Sequence, residues 1–275
     1  MNWLSRLIRY MLKFSAFITF AVLFFIIAYI LARGIPYLKP SLFALEYTTE
    51  NVSLLPAIIT TLIMTVLALL ISAPIGIFTG FYLVEYAKSG NKLVEIIRIT
   101  TETLSGIPSI VYGLFGLLFF VTTLGWGFSI IAGAFTLAIM ILPLIIRSTE
   151  EALLAVPDLL REASYGLGAG KLRTIFRIVL PSAMPGILAG IILAIGRIVG
   201  ETAALIYTAG TVAKIPENLF ASGRTLAIHM YVLSSEGLYT NQAYATAVVL
   251  LIVVIGINAL STTISKKLTK GNIDG

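Results

Sequence analysis

Six blocks of almost uninterrupted apolar residues limit what this chain can become. They lie near 14–32, 55–84, 103–124, 128–147, 179–207 and 243–264. A helix needs about 20 apolar residues to cross the hydrocarbon of a bilayer, and each block meets or approaches that length. In lipid the backbone finds no water, so such blocks must close their hydrogen bonds within a helix. A membrane β-barrel uses short alternating segments and does not fit continuous runs. Composition agrees, with 58% of the 275 residues hydrophobic and 12% charged, about half the charged share of a soluble domain. The expectation is an all-α polytopic membrane protein with six transmembrane helices.

The residues between the blocks orient the chain. Arg6, Arg9 and Lys13 precede the first block, and Lys88, Lys92 and Arg98 separate the second from the third. Arg147, Arg161, Lys171, Arg173 and Arg177 lie between the fourth and fifth, and Lys266, Lys267 and Lys270 follow the sixth. The alternate loops hold only Arg33, Lys39, Lys214 and Arg224. Basic residues stay on the cytoplasmic side, so both termini are expected in the cytoplasm, as an even number of spans also requires. The first block exceeds a signal-peptide core and no small-x-small cleavage site follows it, so it reads as a retained span.

Several function classes drop out. The net charge of +6 is distributed over loops rather than gathered in one arm, which points to topology and not to nucleic acid. With no cysteine, disulfides and thiolate metal sites are excluded. His229 is the single histidine; alone it cannot hold a metal, and it is expected to pack or hydrogen-bond within the long outer loop 208–242. That loop carries a mildly apolar stretch, 226–233, able to dip back toward the bundle. Pro74, Pro108 and Pro143 fall inside spans and are expected to kink them.

Ionisable residues inside a span are expensive and normally face a cavity or a partner helix. The fifth block places Arg197 and Glu201 four residues apart, hence on one helical face, about midway along. Arg197 can fork onto a tetrahedral oxyanion. Glu201 can hold Arg197 when no anion is bound, or accept a hydrogen bond from an oxyanion that keeps a proton, which a fully ionised one cannot offer. A purely structural ion pair is the alternative. Gly186/Gly190 and Gly196/Gly200 have the small-xxx-small spacing that lets another helix approach. Just before the third block Arg98 and Glu102 are spaced for a surface ion pair. Ser105, Ser109 and Tyr112 can line a pathway, although hydroxyls in spans commonly bond their own backbone.

The loop at 150–181 carries the most specific pattern. Its GLGAGK run is not a nucleotide loop: Tyr165 stands where the first glycine should be, Leu172 follows the lysine, and no strand precedes it. The same segment places Glu162-Ala163-Ser164, three residues, Gly168, nine residues, then Ile178-Val179-Leu180-Pro181. This resembles the EAA loop of ABC importer permeases, departing only in Ser164 for the second alanine. In addition, GIPSIVYGLFG at 106–116 and GRIVGETAAL at 196–205 are similar to signatures of the phosphate-importer permeases, the A-type in particular.

The resemblance covers most of 55–265. It implies a type I ABC importer permease fold, with Glu162, Ala163, Ser164 and Gly168 coupling the permease to an ATPase. It implies a second, C-type permease, a cytoplasmic ABC ATPase dimer and an extracytoplasmic phosphate-binding protein, all in a prokaryotic plasma membrane. No cofactor is expected on this chain, ATP-Mg belonging to the partner ATPase. Residues 1–54 read as tail, first span and outer loop, 55–265 as the permease domain, and 266–275 as a basic cytoplasmic tail. Two other readings stay open: an ABC permease for another oxyanion, and a gradient-driven secondary transporter, which also places ionisable groups mid-membrane.

Overall fold

The computed structural model describes residues 3–87 and 90–271, and every regular element among them is helical. The helices α1 (Trp3–Gly34) and α2 (Leu55–Phe81) are joined by an outer loop with two short 3-10 turns. A single π turn carries α2 on to Tyr86. Next come α3 (Lys92–Ser105), α4 (Ser109–Gly116, continued by a π turn to Thr123) and α5 (Ile130–Leu154). The loop between the fourth and fifth blocks folds into α6 (Asp158–Gly166) and α7 (Lys171–Thr174), which runs through a π turn into α8 (Leu180–Val199). After the short α9 (Ala203–Ile206), α10 (Leu226–Glu236) and α11 (Thr240–Gly271) complete the chain.

Among the described residues five helices are long and apolar enough to cross a membrane, and six spans result if the bent pair α3–α4 counts as one. That pair corrects the single straight span expected at 103–124. The two halves meet at a bend of 103° across Gly106-Ile107-Pro108. Pro108 supplies no N–H, crowds the preceding turn and forces Ile107 out of helical geometry. What remains beyond the break, Ser109–Thr123, is about 22 Å long. The first half, α3, is amphipathic. Leu93, Ile96 and Ile99 recur at helical spacing and are all exposed, as in a helix lying in the interface plane. Pro74 and Pro143 sit within continuous helices, α2 and α5.

The core forms where α5 is enclosed by α2, α4 and α8. Leu137, Met140, Ile141 and Ile145 of α5 pack with Met64 and Ala68 of α2, Tyr112 of α4, and Ala194 and Ile198 of α8. Small residues set the α5–α8 spacing: a side chain at Gly186 would run into Ala152, and one at Gly190 into Ser148. This glycine pair is therefore used inside the chain, whereas the space beside Gly196 is open. At the outer end, Trp126 stacks on Phe120 (5.3 Å between ring centroids) and packs with Phe135, as at a membrane interface. α1 is exposed along almost its whole length and meets the bundle chiefly through α11, where Gly34 abuts Tyr244.

The outer loop does return to the bundle. Thr225 caps α10, and the Leu226 N–H donates to Thr61 Oγ1 of α2 (2.8 Å). Gly237, at φ 71°, ends α10 in the left-handed conformation. The segment from 266, expected as a tail, continues α11 to Gly271. Lys88 and residues 272–275 lie outside the described residues.

Candidate functional site

Two places carry chemistry that packing alone does not account for: the α6–α7 loop and the end of α8.

In the α6–α7 loop, α6 starts after Pro157, and Asp158 in its first turn suits the helix dipole. Gly168, at φ 80°, lets the chain reverse, with the Ala169 N–H bonded to the Ser164 carbonyl (3.1 Å). Ser164 is buried, and its hydroxyl lies 2.8 Å from Thr174 Oγ1 of α7. The one departure from the EAA pattern thus ties the two short helices together. Glu162, Ala163 and Gly168 stand exposed, as do Leu159 and Leu167, giving a partly apolar face that none of the described residues covers.

Sequence reasoning used Arg161 only as a topology charge; the structure makes it the root of this loop. Its guanidinium meets Glu85 Oε1 at the end of α2 (3.0 Å) and Asp158 Oδ1 (3.1 Å). It also donates to the carbonyls of Val156 (2.7 Å) and Leu153 (2.9 Å). The Arg161 and Glu85 side chains are both nearly buried. Lys171 adds a cation–π contact on Tyr86, 4.6 Å from the ring centroid. These contacts tie α6 and α7 to the foot of α2. The only hint in the sequence was an acid, Glu85, far away along the chain.

At the other place, α8 stops at Val199, earlier than the span expected to run to 207. Gly200, Glu201 and Thr202 form a break before α9. The expected Arg197–Glu201 pair on one helical face is not formed, because Glu201 lies past the helix end. Its Oε1 accepts from the Ala204 N–H (3.1 Å), capping α9, and the residue is buried. Arg197 keeps the last turn of α8, where a cation complements the helix dipole. It has neither an ion pair nor a hydrogen bond among the described residues.

Arg197 opens onto a cleft of about 430 Å³ lined by Leu144, Ala189, Leu193, Gly196 and Asn258, among others. Leu144 lies inside the apolar run of α5, about 4.5 Å along the helix from Arg147, so the cleft sits within the span toward the end that carries α6. Gly190 and Ala194 pack against α5. Ser109 lies in the first turn of α4, half-buried. Ser105 sits before the break and donates to the Glu102 carbonyl (2.7 Å), and Tyr112 donates to the Leu104 carbonyl (2.7 Å). Arg98 does not pair with Glu102; it bonds Glu150 of α5 (2.6 Å), because the bend swings α3 alongside α5. Among the described residues no cluster of ligating side chains suits a metal ion.

A third feature escaped the sequence. Arg224 and His229 are both buried under the outer loop, each against the ring of Tyr47. Arg224 lies 4.7 Å from the ring centroid, while its Nε and Nη2 find no partner. Neither His229 nitrogen makes a well-formed hydrogen bond. Burial first, and the Arg224 charge second, push the imidazole down to about 3, with the Val52 backbone opposing. His229 is thus neutral, which fits the packing role expected of it.

Comparison with known proteins agrees with this geometry. Residues 72–271 match the family described as the binding-protein-dependent transport system inner membrane component. The probable ABC transporter permease protein YqgI of Bacillus subtilis is 40% identical over 223 residues, 74% of this chain and 76% of that protein. The phosphate transport system permease protein PstA of Haemophilus influenzae is 34% identical over 83% of this chain and 82% of its own. PstA 1 of Mycobacterium tuberculosis is 39% identical over 74% of this chain and 67% of its own. Among solved structures, a bacterial alginate ABC transporter chain superposes with a TM-score of 0.70 at 17% identity, covering 98% of this chain and 99% of that one. A chain of the MetNI methionine ABC transporter, inward facing, gives 0.61 at 21% identity over 78% of this chain and 93% of its own. The fold is that of a type I ABC importer permease.

Proposed function

Because the chain belongs to the binding-protein-dependent transport system inner membrane component family, we propose that it is the A-type permease subunit of an ATP-driven importer of inorganic phosphate. It acts as a transport subunit rather than an enzyme. The observation that carries the energy source is the exposed, partly apolar face of α6, rooted on α2 through Arg161 and Glu85. A helix presented in this way is a handle for a separate motor, and a cytoplasmic ABC ATPase dimer with bound ATP-Mg fits it. The relatives named as phosphate permeases support the substrate.

In this reading an extracytoplasmic phosphate-binding protein delivers the anion to the outer face of this chain and a sister C-type permease. ATP binding and hydrolysis rock the pair in the plasma membrane, with both termini of this chain cytoplasmic. Glu162, Ala163, Ser164 and Gly168 take part in docking: Glu162 and Ala163 at the surface, Ser164 and Gly168 by shaping it. Arg197 contacts the anion in transit, its uncompensated charge matching a tetrahedral oxyanion within the span. Glu201, fixed on the α9 N-terminus, holds the break that ends α8 and so positions Arg197. Ser105 and Ser109, on either side of the α3–α4 break, flank the pathway.

Purification in mild detergent followed by identification of the co-purifying chains tests the assembly. An ATPase and a second permease are expected. Recovery of this chain alone, with phosphate uptake intact after reconstitution, contradicts it.

A further inference from the structure

Asn258 of α11 is the second polar residue of the Arg197 cleft. Its Oδ1 is buried without a hydrogen-bond partner, and no hydrogen bond formed by its side-chain nitrogen is found either. Only its backbone is engaged, the carbonyl accepting from Thr262 Oγ1 (2.7 Å). An amide left unpaired within a membrane span is costly. Two such groups, an unpaired guanidinium and an unpaired carboxamide, come from different helices and open onto one cleft whose remaining lining is apolar. Packing gives no reason for that coincidence.

We propose that Asn258 is a specificity-determining contact for the translocated anion, working with Arg197; the inference rests on the phosphate-permease reading above. The chemistry divides between the two. Arg197 offers only donors, so it neutralises any oxyanion equally well. A carboxamide offers a donor and an acceptor. Phosphate near neutral pH retains a P–OH, and Asn258 Oδ1 accepts from it while Nδ2 donates to an unprotonated oxygen. A fully ionised anion such as sulfate leaves Oδ1 unsatisfied. Buried acceptors left unpaired discriminate strongly against ligands lacking the hydrogen. Glu201, the acceptor expected from the sequence, already has one oxygen committed to Ala204. Asn258 fills that role without adding a second negative charge.

The test uses the complete transporter reconstituted in proteoliposomes with its ATPase and binding protein. Radiolabelled phosphate uptake and ATP hydrolysis are measured together for the parent, Asn258→Leu, Asn258→Gln and Arg197→Gln. Asn258→Leu, similar in size, is expected to lower phosphate moved per ATP hydrolysed by roughly tenfold or more. The sister permease should still co-purify, and Asn258→Gln should recover part of the loss. Wild-type uptake by Asn258→Leu alongside impaired Arg197→Gln overturns the role of Asn258 and leaves the wider reading standing. Loss of the co-purifying permease in Asn258→Leu overturns it too, making the residue a packing contact between subunits. Wild-type uptake by Arg197→Gln removes the premise itself.

Discussion

At the scale of single residues, the sequence singled out Arg197 as a charge within a span, and the structure leaves it without the Glu201 partner expected there. Helical spacing puts residues 197 and 201 on one face only if the helix continues, and it stops at Val199. Gly200 and the carboxylate of Glu201, which is better satisfied by a helix N-terminus than by solvent-free lipid, explain the stop. Arg197→Gln is expected to reduce uptake at least tenfold while nucleotide hydrolysis by the assembled complex persists, which paired transport and ATPase assays will measure. Arg161 was legible only as a charge, because its partner Glu85 is distant in sequence. Arg161→Ala leaves Glu85 and two carbonyls unpaired in a nearly dry pocket. Thermal unfolding in detergent should register a loss of about 3–5 kcal/mol.

His229 makes a pH prediction of the same local kind. Its folded-state value, about 3, lies below the unfolded value of 6.5. The neutral ring therefore contributes stability that is fully present above 6.5 and lost as pH falls from 6.5 toward 3. The loss at pH 5 is about 2 kcal/mol, because each pH step of one below 6.5 removes about 1.4 kcal/mol. Comparing melting temperatures at pH 7 and pH 5 checks this, and His229→Leu should flatten the difference.

At the scale of elements, long periodic helices were readable and their interruptions were not. Hydropathy averages over a window, so it ran straight through Gly106-Ile107-Pro108, where one local steric effect swings α3 away by 103°. It also missed the early end of α8. The α6 segment was legible because its punctuation is local: Pro157 before the helix and Gly168 after it. Gly168 sits at φ 80° with open space around it, so a side chain there meets backbone strain rather than a clash. Gly168→Val is expected to strain the turn by about 1–2 kcal/mol. Co-purification with the ATPase should then weaken while the permease still inserts and carries α2 and α5 intact, as protease protection of the spans would record.

At the scale of the whole molecule, six apolar blocks and the basic loops were enough to anticipate an all-helical membrane bundle. They could not reveal that α1 stands away from the bundle, meeting it chiefly through α11. The surfaces left bare, α1, the α6 face and the cleft beside Gly196, all describe a chain built to be completed by others. The central claim is that this permease is driven by a separate nucleotide-hydrolysing motor gripping α6. Phosphate uptake by the reconstituted complex, followed with ATP inside the vesicles and an ionophore present, tests it most directly. Uptake should require ATP, survive collapse of the ion gradients and vanish when the ATPase is omitted. Accumulation without ATP that is abolished by the ionophore would contradict the account.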